Sequence, residues 1–142
     1  MKIKEVKKFK IDIYNEVVGL LPQLSTKAKI PTKKYFKSIL KSEDIHFFVA
    51  KSNKIVIGTL LLAKYNTLCG TKYWIEDVIV DESQRGKGYG RELTQFAIDY
   101  AKYDGATSIY LTSQSARVAA NILYQKMGFI KYETNMYKYS FE

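Results

Sequence analysis

The stretch that decides the fold is Arg85-Gly86-Lys87-Gly88-Tyr89-Gly90, which we call the glycine loop. It separates a strand-like run over residues 73–80 from an amphipathic helical pattern over residues 91–102. Alternating glycines let the backbone turn tightly and leave amide N–H groups uncovered by side chains. Because the N-terminus of a helix attracts negative charge, we expect a phosphate or pyrophosphate site here, with Arg85 and Lys87 adding positive charge.

Two well-known glycine-rich loops do not fit this stretch. A Walker A loop requires Ser or Thr after its Gly-Lys pair, whereas Lys87 is followed by Gly88. A dinucleotide-binding loop requires a third glycine three positions after its second, and Arg91 stands there. A glycine turn without a ligand and an anion site of another kind both remain open at this point.

A second motif, Asn121-x-x-Tyr124-x-x-x-Gly128-Phe129, ends a helix predicted over residues 116–127. Gly128 stands where a glycine commonly follows the last turn of a helix. Asn121 and Tyr124 are three positions apart and therefore share one helical face. Asparagine is a poor helix former, so its presence suggests a specific use. The alternative is a solvated Asn121 beside a Tyr124 that packs in the core.

Together the two motifs resemble the GCN5-related N-acetyltransferases (GNAT). The resemblance rests on Arg85-x-x-Gly88-x-Gly90, the pyrophosphate loop of that family, followed at the family's usual spacing by the Asn121 motif. It implies an α/β (α+β) fold with a mixed, largely antiparallel sheet. That sheet would have roughly six to seven strands, splay in the middle and be flanked by about four helices.

The resemblance also implies that acetyl-coenzyme A binds as a cosubstrate in the splayed opening, between the strands at residues 73–80 and 107–112. Its pantetheine arm would pair with the first of these strands, its pyrophosphate would take amides of the glycine loop, and Tyr124 would face the sulfur. The implied cofactor-binding residues are Val78, Ile79, Val80, Arg85, Gly86, Lys87, Gly88, Tyr89, Gly90, Asn121 and Tyr124.

The implied reaction transfers acetyl from acetyl-coenzyme A to a primary amine by direct attack in a ternary complex. Tyr124 is the expected acid, since a phenol can protonate the departing thiolate. Glu76 is the expected base, acting through water, because the pair Glu76-Asp77 resembles polyamine and glucosamine-phosphate members of the family. Strand alternation places the two carboxylates on opposite faces, so Asp77 stays an alternative base, and an ion-pair role stays open for either.

The length and the net charge limit the number of domains and the classes of partner that this chain can have. A chain of 142 residues is long enough for one domain, 1–142, with its own core. The net charge of +9 favours anionic partners, of which coenzyme A is one. Lysines alternate with apolar residues near the N-terminus, which indicates a solvated edge strand and argues against nucleic acid. The alternative function is a non-catalytic coenzyme A sensor or a basic nucleic-acid-associated module on the same fold.

Cysteine and histidine are too scarce for several other chemistries. Cys69 and His46 are each the only residue of their type, so we expect no intramolecular disulfide and no metal site, and a structural or surface role for His46. No apolar leader or membrane-spanning run is evident, which predicts a cytoplasmic protein without a membrane partner. The acceptor, a small molecule or a peptide or protein amine, stays open, as do the acyl chain and a homodimer.

Periodicity predicts the order of the elements. We expect a strand over residues 2–9, a helix over 11–21 interrupted at Pro22, a helix over 33–41 capped by Thr32, strands over 46–51 and 55–65 joined by a turn at 52–54, the strand over 73–80, a helix over 88–103, a short strand over 109–111, the helix over 116–127, and a closing hairpin of residues 130–134 and 136–141.

Overall fold

Five strands and four α-helices follow one another along the chain, and the computed structural model describes every residue from 1 to 142. The elements are β1 (Lys2–Glu5), α1 (Ile11–Leu24), α2 (Lys33–Lys41), β2 (Ile45–Ser52), β3 (Ile55–Thr67), β4 (Gly70–Val80), a 3₁₀ turn (Glu82–Gln84), α3 (Tyr89–Tyr103), β5 (Ser108–Tyr110) and α4 (Val118–Lys126).

The strands form one sheet in the order β1-β2-β3-β4-β5. Neighbours are antiparallel except β4 and β5, which run parallel. The predicted mixed, largely antiparallel α/β fold is therefore confirmed. The predicted turn between β2 and β3 is also present, since Asn53 (φ 51°) and Lys54 (φ 68°) both adopt the left-handed conformation. Two such residues in succession suit the tight turn of a hairpin.

Helices α1 and α2 pack against the sheet through a shared apolar cluster. Ile13 and Val17 of α1, together with Phe36 of α2, meet Phe47 and Val49 of β2 in this cluster. Burying side chains of this size stabilises the fold by about 1.5–3 kcal/mol each. Helix α2 begins as predicted, because Thr32 Oγ1 accepts a hydrogen bond from the Tyr35 amide at 3.1 Å.

Helix α3 contributes a second group of buried side chains. Leu93 and Ala97 are almost fully buried, and the Phe96 ring lies 5.0 Å from that of Phe48 in β2. Gly58 of β3 lies close to α3: a methyl group there would stand 3.2 Å from Leu93 and 2.8 Å from the Ile79 carbonyl. The contact with the backbone carbonyl of β4 is too short for a methyl group, so the pairing of β3 with β4 requires glycine at this position.

The predicted interruption of the first helix at Pro22 is wrong, since α1 continues to Leu24. Proline removes one backbone donor, and so close to the helix end only a single intrahelical bond is lost. Leu21 and Leu24 pack against the apolar cluster on either side of Pro22. Their burial offsets the missing hydrogen bond.

The predicted strand number is too high, because the sheet has five strands rather than six to seven. The expected hairpin over residues 130–134 and 136–141 does not form, and these residues belong to no strand. Tyr137 (89% exposed) and Phe141 (95% exposed) bury almost none of their surface. Alternating polar and apolar residues favour a strand only when a partner strand and a covered face are available, and an isolated hairpin is marginal in water.

Packing divides the chain into two compact units, Met1–Thr112 and Ser113–Glu142. The first contains the whole sheet with α1, α2 and α3, and the second contains α4 and the residues after it. No helix in either unit combines the length and the apolar character that a membrane span requires.

Candidate active site

Strand β4 has an open edge over its C-terminal half. It pairs with β5 only from Lys72 to Trp74, and beyond that point only β3 lies beside it. The sheet therefore opens between these strands as predicted. The Asp81 amide donates to the Ile57 carbonyl at 2.8 Å. By strand alternation, the backbone groups of Val80 then point away from β3, toward the open edge.

A β-bulge interrupts β4 beside this edge. Thr59 pairs with Ile79 and Leu61 with Glu76, so that Leu60 faces two residues, Asp77 and Val78. Asp77 adopts the left-handed conformation with a φ of 53°. Its carbonyl accepts a 2.8 Å hydrogen bond from Thr59 Oγ1, a buried hydroxyl. A bulge bends its strand and leaves one residue unpaired.

Because of the bulge, strand alternation no longer determines the faces on which the two carboxylates of β4 lie. Regular alternation, which was expected to place Glu76 and Asp77 on opposite faces, does not hold across a bulge. The sequence contains a signal for it, because two consecutive polar residues break the alternating pattern of the strand. Thr59, which holds the bulge through its hydroxyl, gave no such signal.

Both carboxyl groups at the bulge hold their protons more strongly than ordinary surface acids. Loss of hydration raises the pKa of Glu76, and the nearby charge of Asp77 raises it further. Loss of hydration also raises the pKa of Asp77. The two side chains are exposed, yet the surrounding protein still displaces part of the water around their carboxylates. A raised pKa makes either group a better proton acceptor.

The glycine loop takes a backbone path that depends on glycine. Gly86 (φ 78°) and Gly88 (φ 83°) are both left-handed, a conformation that costs other residues about 1–2 kcal/mol. Gly88 is the residue before the first turn of α3, and no side chain caps that helix. The amides of the first turn, including those of Tyr89 and Gly90, therefore lack intrahelical acceptors. A methyl group at Gly86 or Gly88 would meet nothing within 4 Å.

This arrangement suits a pyrophosphate, because the helix end is positively polarised, no side chain caps it, and the space beside the α-carbons of Gly86 and Gly88 is open. Arg85 Nε donates to the Val80 carbonyl at 3.3 Å, and Lys87 Nζ donates to Gln84 Oε1 at 2.8 Å. Both cations are thus held beside the loop by its own chain. The Glu82 amide donates to Gln23 Oε1 of α1 at 2.9 Å, which anchors the start of the loop.

In the second unit, helix α4 ends in the way the sequence predicts. Gly128 has a φ of 101°, its amide donates to the Gln125 carbonyl at 3.1 Å, and the Phe129 amide donates to the Tyr124 carbonyl at 3.0 Å. The Tyr124 and Phe129 rings lie 5.9 Å apart in an edge-on arrangement. These are the paired bonds and apolar contact of a Schellman motif, which fixes Tyr124 on the last turn.

Tyr124 is 9% exposed. Burial raises the pKa of its phenol, and the positive charge of Arg117 only partly reverses this effect. Asn121, on the same helix, donates from Nδ2 to the carbonyls of Gln114 at 2.9 Å and Arg117 at 2.8 Å. It therefore braces the turn that precedes α4, and only its Oδ1 is left to contact a ligand. In the same unit, Ser113 Oγ is buried without a hydrogen-bond partner.

The predicted cofactor-binding residues at the end of β4 do not share one environment. The backbone groups of Val80 face the open edge and Val78 lies in the bulge, whereas the side chain of Ile79 is buried in the apolar core. A polar cluster that sequence reasoning missed lies at the other end of α3 from the glycine loop. There His46 Nδ1 is 2.8 Å from Glu5 Oε1 and 3.0 Å from the Tyr100 hydroxyl. His46 is thus structural, and it is not part of the open edge.

A profile of the acetyltransferase (GNAT) family matches residues 12–129, and the chain belongs to this family. N-acetyltransferase 8B of Homo sapiens is 29% identical over 128 residues, which cover 80% of this chain but only 56% of the human protein. The chain thus spans about half the length of that relative. Glucosamine 6-phosphate N-acetyltransferase of Arabidopsis thaliana is 28% identical over 131 residues, covering 86% of each chain.

Solved structures agree with the sequence comparison. The crystal structure of the Arabidopsis enzyme matches all of both chains with a TM-score of 0.79 at 25% identity. An aminoglycoside acetyltransferase from an uncultured soil metagenomic sample matches with a TM-score of 0.87, covering 99% of this chain and 96% of that one. At 15% identity, the second similarity shows the shared fold alone.

Proposed function

We propose that this protein is an N-acetyltransferase that moves acetyl from acetyl-coenzyme A to a primary amine. One observation carries the proposal: the open edge of β4 lies directly before the uncapped, glycine-rich start of α3. A peptide-like pantetheine arm requires free backbone groups, and a pyrophosphate requires free amides. The open edge of β4 and the glycine loop follow each other along the chain in the same order as the pantetheine arm and the pyrophosphate follow each other in the cofactor.

The cofactor is held mainly by backbone atoms. The pantetheine arm pairs with Val78 and Val80, and the pyrophosphate accepts hydrogen bonds from amides of the glycine loop, residues 85–90. Arg85 and Lys87 lower the electrostatic cost of bringing the diphosphate to this position. Asn121 contacts the pantetheine through Oδ1, the part of its amide not used in bracing the chain.

The acceptor must lose a proton before its nitrogen can attack the thioester. Glu76 accepts that proton through a water molecule, for which its raised pKa is suited. Asp77 is the alternative base, since its pKa is raised as well. A backbone N–H of β4 at the bulge donates to the oxyanion that develops on the acetyl carbonyl.

Attack of the neutral nitrogen forms the new C–N bond and gives a tetrahedral species, whose collapse breaks the C–S bond while the nitrogen releases its second proton to water. Tyr124 donates its phenolic proton to the departing thiolate, and its raised pKa keeps that proton in place at neutral pH. Attack is direct, without a covalent enzyme intermediate. Cys69, the only thiol, is exposed in the turn between β3 and β4 and has no part in the reaction.

Thiol release from acetyl-coenzyme A, measured with a panel of primary amines, tests this function. We expect Tyr124→Phe to lower kcat by about 100-fold with little change in the KM for acetyl-coenzyme A, because only proton donation is lost. The ring contact with Phe129 survives this change. Tyr103→Phe, at a tyrosine that is 95% exposed, is the matched control and should behave like the wild type.

Full activity of Tyr124→Phe would remove Tyr124 from the mechanism. Unchanged turnover of Glu76→Gln at neutral pH would likewise exclude Glu76 as the base and leave Asp77 to be tested. Binding of acetyl-coenzyme A without thiol release from any amine would favour the alternative, a coenzyme A sensor. Salt-sensitive nucleic-acid binding without turnover would favour the basic module.

A further inference from the structure

The face of β4 turned away from α3 presents three chemically different side chains in a row. Lys72, Trp74 and Glu76 alternate along the strand with Tyr73 and Ile75, which are buried. The three outward residues therefore share one face and follow one another at intervals of about 7 Å. A cation, an aromatic ring and an anion stand in that order, and the anion is the base of the proposed reaction.

The aromatic member of the row is fixed in position. The Trp74 ring stacks on Tyr110 of β5, with centroids 5.4 Å apart and planes inclined by 26°. Its Nε1 donates to the Tyr65 hydroxyl of β3 at 3.0 Å. The stack lies at the last paired position of β4 and β5, Trp74 opposite Tyr110, directly before the strands part. An indole held on two sides is a preorganised surface for another ring.

The cationic member is free to meet a ligand. Lys72 Nζ lies 5.7 Å from the centroid of the Tyr110 ring and forms no salt bridge. Elsewhere on the same sheet, Lys64 pairs with Asp104 at 2.7 Å. The amine of Lys72 therefore carries an unneutralised charge beside the aromatic stack, where an acidic group could reach it.

We propose that the acceptor is a primary amine on a ring that also bears an acidic group on the far side of that ring. This inference rests on the proposed acetyl transfer and specifies its substrate class. The amine meets Glu76, the ring lies against Trp74, and the acidic group pairs with Lys72. From Lys72 to Glu76 the strand covers about 13 Å, which the two side chains and a substituted six-membered ring can span together.

Two kinds of molecule have this chemistry, a phosphorylated amino sugar and a benzylamine with a carboxylate on its ring. Linear polyamines do not have it, because they lack a ring and would bring a second positive charge toward Lys72. Matched acceptors separate these cases: glucosamine 6-phosphate against glucosamine, 4-(aminomethyl)benzoate against benzylamine, and 6-aminohexanoate as an acidic amine without a ring.

Steady-state kinetics of the full chain with these five amines is the test. For at least one acidic ring amine, we expect kcat/KM to be about fivefold or more above the kcat/KM of its neutral counterpart and above that of 6-aminohexanoate. A difference of this size is the effect of one partly exposed ion pair. The preferred member of the two acidic compounds identifies the ring as saturated or aromatic. Lys72→Met should bring the acidic-to-neutral ratio close to one, and Lys54→Met, in the turn between β2 and β3, should leave the ratio unchanged.

Trp74→Phe provides a second, milder perturbation that keeps a ring in place. It should weaken the preference for ring amines over 6-aminohexanoate, while thermal unfolding and acetyl-coenzyme A binding verify that the variant is folded. Thiol release with all amines but without an acidic or ring preference overturns this inference and leaves the acetyltransferase proposal standing. An acidic-to-neutral ratio unaffected by Lys72→Met also overturns it. No acetyl-coenzyme A binding and no thiol release overturn both.

Discussion

Glu5 ionises more readily than an ordinary glutamate because of the groups that surround it. Burial alone would raise its pKa, but hydrogen bonds from Lys7 and His46 outweigh that effect and lower the pKa below its usual 4.5. The Glu5 side chain is 26% exposed and that of His46 13%, so the pair is only partly screened by water. Glu5 is thus a residue whose charge stabilises the fold.

Glu5→Gln should lower the free energy of unfolding by about 1 kcal/mol at neutral pH. A lowered folded-state pKa means that the stabilisation is fully present above the usual value of 4.5 and is lost as the pH falls through the lowered pKa. Urea unfolding at several pH values should therefore show wild type and variant converging in acid. Glu43→Gln, at an exposed glutamate, is the control. A difference that stays constant with pH would contradict this account.

Gly88, just before α3, and Gly19, inside α1, have opposite conformational requirements. Gly88, before α3, is left-handed, whereas Gly19 lies inside α1 without a positive φ, and a methyl group at either position meets nothing within 4 Å. Steric clash is therefore absent at both positions. Any difference between the two alanine variants must come from backbone conformation and from the ligand that the backbone binds.

Gly88→Ala should lower the free energy of unfolding by about 1–2 kcal/mol. It should also raise the Kd for acetyl-coenzyme A roughly tenfold, the cost of displacing one amide from a charged acceptor. Gly19→Ala should instead stabilise α1 by about 0.5–1 kcal/mol and leave the Kd unchanged. Thermal unfolding and calorimetric titration measure both effects. Similar behaviour of the two variants would show that the glycine loop has no special role.

Elements specified by neighbouring residues were predictable from the sequence. The Thr32 cap, the turn at Asn53 and the end of α4 at Gly128 each depend on a few consecutive residues. The continuation of α1 through Pro22 and the absent hairpin over residues 130–141 depend on contacts that local pattern does not specify. An apolar surface offsets the missing donor in the first case, and no strand partner is present in the second.

Across the whole molecule, the features that sequence reasoning missed join distant segments. His46 meets Glu5 across 41 positions and Tyr100 across 54. The Trp74–Tyr110 stack likewise requires β5 to lie beside β4, which no local pattern indicates. The glycine loop was identifiable because its conformation and its open amides come from six consecutive residues. The roles of Tyr124 and Glu76 remain predictions from the family resemblance.

The most direct test of the central claim is a crystal structure of the protein with acetyl-coenzyme A. We expect pyrophosphate oxygens within about 3 Å of amide nitrogens of the glycine loop, Gly88 and Gly90 among them. The pantetheine amides should pair with the backbone of Val78 and Val80 along the open edge of β4. A diphosphate bound elsewhere, or an open edge of β4 that the pantetheine does not touch, would contradict the account.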